Sequence, residues 1–181
     1  LSYFGQDETL AGEAAGERFT DESAGKVLCV IHEQGHVGLE ARCKGVANKF
    51  KGTEKVYVKG TDSANVQSTI TAKLQQDKDI TNVITLGAPM AMIATKSIEE
   101  AGSEAKLATF DLNDEALQAI KDGKIEWAVD QQPYVQGYMA LDSLWLRVQK
   151  GASTGGGEPV YTGPAFIDDA NVDILLEQQA K

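Results

Sequence analysis

Lys26-Val27-Leu28-Cys29-Val30-Ile31 is followed by His32-Glu33-Gln34-Gly35-His36, and then by Leu39, Cys43, Val46 and Phe50 at i, i+4, i+7 and i+11. The first run is continuous, apolar and rich in β-branched residues, the pattern of a strand covered on both faces. The spacing after the loop predicts a helix with one apolar stripe. The same unit recurs. Lys55-Val56-Tyr57-Val58 precedes Val66, Ile70 and Leu74; Asn82-Val83-Ile84-Thr85-Leu86 precedes Pro89, which suits a first helical turn; Leu107-Ala108-Thr109-Phe110 precedes Ala116, Leu117 and Ile120. Ile125 to Val129 is one more strand, and Leu1-Ser2-Tyr3-Phe4 reads as another. The helix after it carries Ala11, Gly12, Ala15 and Gly16. Such small residues let backbones approach closely, and packing must then compensate for the low helicity of glycine. About five βα units force right-handed crossovers. The fold class is therefore α/β, a doubly wound, mostly parallel sheet with helices on both faces.

Beyond this core, a helix is expected from Tyr134 to about Lys150, with Tyr138, Leu141, Trp145 and Val148 on one stripe. Ala152 to Gly157 reads as a flexible loop, Val160 to Ile167 as extended chain and Val172 to Gln178 as a short terminal helix. With 181 residues, 42% of them hydrophobic and 24% charged, the chain is an ordinary globular sequence of one domain or slightly more. Its 27 acidic residues against 17 basic ones give a net charge of −10, which argues against a phosphate-tracking surface and hence against a nucleic-acid partner. No apolar run approaches the ~20 residues of a membrane helix. The start at Leu1, without a basic n-region, is what a processed or truncated chain would show.

In doubly wound sheets ligands sit at the carboxyl ends of the strands. Those ends hold His32 to His36, Gly60-Thr61-Asp62, Gly87-Ala88-Pro89, Asp111-Leu112-Asn113 and Asp130-Gln131-Gln132. His32-Glu33-x-x-His36 is literally the zinc-peptidase string. That chemistry needs both imidazoles on one helical face, whereas here His32 ends a strand and Gly35 lies in a loop; no third histidine exists. Gly87-Ala88-Pro89 lacks the glycines and lysine of a phosphate loop, no Gly-x-Gly-x-x-Gly occurs, and no cofactor is expected. Arg42 is either a surface ion-pair partner or a rigid fork of donors; Asp111 is either a helix cap or a bidentate acceptor from hydroxyls. Gln131 offers one amide donor side and one acceptor side. A set of Arg, Asp and Gln without a nucleophile–base pair belongs to a binder rather than an enzyme. Cys29 and Cys43, read by themselves, fit a disulfide or two small buried thiols equally.

The run Glu40-Ala41-Arg42-Cys43-Lys44-Gly45, then Leu107 to Asp111, Asp122-Gly123-Lys124, Asp130-Gln131-Gln132-Pro133 and Gln136-Gly137 resembles the periplasmic monosaccharide-binding proteins of ABC importers, of the ribose- and fructose-binding type. The resemblance spans essentially the whole chain but only the second part of a family member. It implies two α/β lobes joined by three hinge strands, with sugar clamped between them. Residues 1–131 would be the second lobe, beginning at the first hinge strand. Residues 132–151 would be the helix that packs on the absent N-terminal lobe, and 152–181 the glycine-rich loop, third hinge strand and terminal helix. Carried over by position, Arg42 matches the arginine of the family's Arg-x-x-Gly, Asp111 the aspartate that accepts from sugar hydroxyls, and Gln131 the hinge glutamine. His36, Thr61 and Asp62 fall at pocket-rim positions. Gly87 stands where the family often has asparagine, so one expected hydrogen bond is gone.

The resemblance further implies a monosaccharide or polyol ligand, a membrane ABC permease as partner, and a periplasmic or otherwise extracytoplasmic location, with a lipid anchor left open. In that setting Cys29 and Cys43 are expected to be disulfide-bonded, since strand and helix of one βα unit pack closely enough. The effector-binding domain of a lactose-repressor-like regulator would use the same core. The tail Gly163-Pro164 … Asn171-Val172-Asp173 looks instead like the transport branch. The zinc peptidase is the third, least supported reading.

Overall fold

The computed structural model describes residues 2–179. Six strands form one sheet in the order β3 (Thr53–Tyr57), β2 (Lys26–Ile31), β4 (Ile80–Thr85), β5 (Lys106–Phe110), β6 (Trp127–Asp130) and β8 (Ala165–Asp168). All neighbours are parallel except β8, which runs antiparallel to β6 with Val129 opposite Phe166. A separate two-stranded parallel ladder joins β1 (Phe4–Gly5) to β7 (Val160–Tyr161). The chain runs β2, α2 (Val37–Lys49), β3, α3 (Ser63–Gln76), β4, α4 (Ala88–Glu100), β5, α5 (Asp114–Lys121) and β6, the doubly wound arrangement that the sequence rhythm predicts.

The continuous apolar strands divide their side chains between two cores because successive residues point to opposite faces. Leu28 and Val30 face the layer of α3 (Ser63–Gln76), α4 (Ala88–Glu100) and α5 (Asp114–Lys121), with Val66, Ile70, Ala91, Leu117 and Ile120. Val27, Cys29 and Ile31 face α1 (Glu8–Asp21) and α2 (Val37–Lys49), with Ala11, Ala15, Phe19, Leu39, Cys43 and Val46. Trp127 anchors this second core. Its ring lies 5.0 Å from Phe19 and edge-on to Phe166 at 5.4 Å, and its indole N–H donates to Glu22 Oε1 at 3.0 Å. The disulfide between Cys29 and Cys43 ties β2 to α2, with Cα atoms 6.0 Å apart, the pairing that the family resemblance implies.

α1 and α2 pack backbone to backbone. A Cβ at Gly12 would overlap the carbonyl oxygen of Arg42, and one at Gly16 would stand 2.6 Å from that of Val46. The small-residue stripe does what its composition implies.

Some boundaries differ from expectation. The N-terminal strand is Phe4–Gly5 and pairs outside the main sheet; Leu1 lies outside the described residues. β6 begins at Trp127, since Ile125 and Glu126 only lead into the ladder. β3 is an edge strand, so Lys55 and Tyr57 are exposed rather than covered on both faces. The tail supplies an antiparallel edge strand, and α7 (Val172–Gln179) packs beside α5. The long helix, α6 (Pro133–Lys150), has no buried residue.

Candidate functional site

Arg42, Asp111 and Gln131 converge at the carboxyl ends of the strands. Arg42 stands on α2, which the Gly12–Gly45 contact brings hard against α1, the helix that carries Glu8. The side chain is 7% exposed and lies over the Phe110 ring at 4.7 Å. Its donors are almost fully engaged: Nε gives to Glu8 Oε2 at 2.6 Å, Nη2 to Glu8 Oε1 at 3.2 Å, and Nη1 to Leu86 O at 3.1 Å and Asp111 Oδ2 at 3.4 Å. Five N–H groups less these four contacts leave one on Nη2 for a ligand. Burial opposes the charge, yet Glu8 and Asp111 raise the guanidinium pKa above its ordinary value. The arginine stays a fixed cation.

Asp111 follows β5 with a left-handed backbone, φ 64°. That conformation is uncommon for aspartate and turns the carboxylate back over the sheet. Its N–H donates to Val129 O at 2.9 Å. Oδ2 accepts from Arg42, and Oδ1 accepts from Gln131 Nε2. Each carboxylate oxygen has a second lone pair, so the group can accept from hydroxyls without releasing either partner.

Gln131 sits where three segments of the chain meet. Its carbonyl accepts from Thr162 Oγ1 at 2.7 Å and Gln136 Nε2 at 2.9 Å, and Gln132 Nε2 donates to Thr162 O at 2.5 Å. Thr162 N in turn donates to Gly5 O at 2.8 Å. Beside it, burial first and the Asp111 charge second push the Asp130 carboxyl above its usual value, against a lowering hydrogen bond from Gln132 N.

The remaining predicted residues are less tightly joined. Gly87 begins α4 and follows Leu86, whose carbonyl Arg42 grips. Thr61 lines a groove of about 780 Å³ with His32, Tyr57 and Gly60. Asp62 caps α3 through Asn65 N at 3.1 Å. His36 caps α2, its Nδ1 accepting from Leu39 N at 3.3 Å, and is exposed. His32 follows β2 in the loop, so the two histidines of the zinc-peptidase string share no helical face. Among the described residues no cluster of three or more His, Cys, Asp or Glu could hold a metal ion. Sequence reasoning missed Glu8, which looks like any acid in a first helical turn, and Gln136 and Thr162, which hold the Gln131 carbonyl.

The arrangement can bind a neutral, hydroxyl-rich molecule: it offers a fixed cation, a doubly accepting carboxylate and an amide, but no nucleophile–base pair. Residues 1–152 match the family model described as "Periplasmic binding protein domain". A carbohydrate transporter from Acidothermus cellulolyticus 11B, solved in complex with myo-inositol, is 54% identical and superposes with a TM-score of 0.92 over 98% of this chain and 63% of its own. The xylose/arabinose-binding protein XylF of Sulfolobus acidocaldarius is 24% identical over 97% of this chain and 46% of its own length. The ribose import binding protein RbsB of Bacillus subtilis is 30% identical over 76% and 47%. The chain thus spans about half the length of the curated relatives it matches. It belongs to the periplasmic binding protein domain family.

Proposed function

We propose that the chain is part of an extracytoplasmic solute-binding protein that captures a monosaccharide or cyclic polyol and delivers it to a membrane ABC permease. The observation that carries this reading is the Arg42–Asp111–Gln131 hydrogen-bond chain at the strand ends, next to the crossing of Gly5, Gln131 and Thr162. His36, Thr61, Asp62 and Gly87 form the rim on this reading. The myo-inositol complex of the 54% identical transporter supports a cyclic polyol over other ligand classes. Among the described residues no helix is long and apolar enough to cross a membrane.

The same proposal divides the protein. Residues 1–131 form the lobe with the site, α6 turns its apolar stripe toward a further lobe, and the return through β7 re-enters the first lobe at β8. Relatives roughly twice this length support that division. The test is calorimetric titration of the full-length protein with myo-inositol, D-ribose, L-arabinose and D-xylose. Saturable one-to-one binding, abolished in Asp111→Ala, is the expected result. No binding to any of them would overturn it, and stoichiometric zinc with peptide hydrolysis would replace it by the peptidase.

A further inference from the structure

His32 stands at a strand end, and the Arg42–Asp111–Gln131 site leaves it unused. Among the described residues its Nδ1 is buried without a hydrogen-bond partner, and Nε2 has none either. The ring stands in a slot between two glycines. A Cβ at Gly60 would lie 3.4 Å from Cδ2, and one at Gly87 would lie 3.5 Å from Cε1 and 4.0 Å from Nε2. The Cε1–Nε2 edge therefore faces the start of α4, at the residue after the Leu86 carbonyl that Arg42 holds at 3.1 Å. Any side chain longer than alanine at Gly87 would cover this edge.

We propose that His32 contacts the ligand and sets its specificity: its Nε2 edge, exposed by Gly87, hydrogen-bonds one hydroxyl of the bound polyol. This rests on the polyol-binding reading above. Nδ1 is buried inside the slot, so Nε2 is the nitrogen that a ligand can reach, and an apolar side chain would fill the slot without the cost of an unpartnered polar atom. Nε2 of a neutral imidazole either donates or accepts, and a hydroxyl can supply the opposite partner. Burial, and after it the Arg42 charge, lower the His32 pKa and keep it neutral at pH 7. The ring edge at Gly87 is one residue from Leu86, whose carbonyl accepts from Arg42, so His32 lies beside the arginine's end of the sheet.

The experiment titrates the full-length protein, wild type, His32→Phe and His32→Asn, with myo-inositol, D-ribose and L-arabinose and with monodeoxy analogues of the tightest binder. Phenylalanine keeps the ring and removes both nitrogens. It should weaken the tightest binder about tenfold, the size of one lost hydrogen bond. One monodeoxy analogue should bind wild type equally weakly and lose nothing further in His32→Phe, while His32→Asn recovers part of the loss. Melting of the ligand-free variants controls for folding; if His32→Phe fails to fold, His32→Asn and the deoxy series carry the comparison. Unchanged affinities, or losses equal for every analogue, would overturn the proposal and leave the polyol reading intact. Wild type that binds no probe would overturn both.

Discussion

The guanidinium of Arg42 meets the carboxylate of Glu8 fork to fork, Nε to Oε2 at 2.6 Å and Nη2 to Oε1 at 3.2 Å. Glu8 is the first residue of α1, three positions after β1, so a residue beside the β1–β7 ladder sets the aim of the arginine. Two parallel bonds fix a planar group more firmly than one.

Glu8→Gln is expected to destabilise the chain by about 1.5–3 kcal/mol, the range for hydrogen bonds to charged groups, because Arg42 keeps its charge and loses its nearer anion. Denaturant unfolding measures it. A change of a few tenths would mean that Asp111 and solvent satisfy the arginine alone.

Gly12→Ala should cost about 1–3 kcal/mol, as overpacking does where the neighbour is backbone and cannot rotate away. The displaced atom is the Arg42 carbonyl, so in full-length protein ligand affinity should fall along with the melting temperature. An alanine that melts like wild type would show α1 and α2 free to separate.

The sheet was legible because strands such as Val27–Ile31 are continuous apolar runs between helix-period segments, and both signals agree. β8 was not: Ala165–Asp168 carries only a short pattern, and its place depends on Phe166 meeting Trp127 across the ladder, a tertiary contact. Of the site, the types of Arg42, Asp111 and Gln131 could be read at strand ends, but their meeting depends on the left-handed turn at Asp111. Glu8 was hidden among ordinary first-turn acids, and His32 behind a zinc string whose helical geometry the loop does not supply.

The double variant Cys29→Ala/Cys43→Ala should lose about 3 kcal/mol, the entropy of a loop of roughly this length in the unfolded chain, since the pair spans 14 positions. Both cysteines are fully buried, so reductant should act on native protein no faster than it unfolds. Thiol trapping with and without denaturant checks this, and two free thiols in unreduced, unfolded protein would refute the bond.

Asp130 provides a pH test. Burial, aided by Asp111, raises its carboxyl in the folded state. Folding then favours the protonated form, so its favourable contribution is complete below the unfolded pKa and is lost as pH rises through the folded one. Asp130→Asn can still accept from Gln132 N, and should raise the melting temperature at pH 7 but not near pH 3.5. Equal shifts at both pH values would assign the effect to packing instead of charge.

The isolated 181-residue chain should fold by itself, because both faces of its sheet are covered by helices. It should bind monosaccharides weakly, however. Clefts hold small ligands by burying ~70–90% of their surface, and one wall leaves Arg42, Asp111 and Gln131 competing with water. Dissociation constants in the millimolar range, near ~4 kcal/mol, are expected for the isolated chain. It should also self-associate through α6, where Tyr134, Leu141 and Val148 are 84%, 71% and 76% exposed on a face of contiguous apolar residues. Sedimentation of wild type against Leu141→Lys/Trp145→Glu separates the two effects, since the variant should be monomeric with the same weak affinity. Micromolar binding by monomeric variant would mean that the site is complete within this chain, and the proposed division at residue 131 would have to be abandoned.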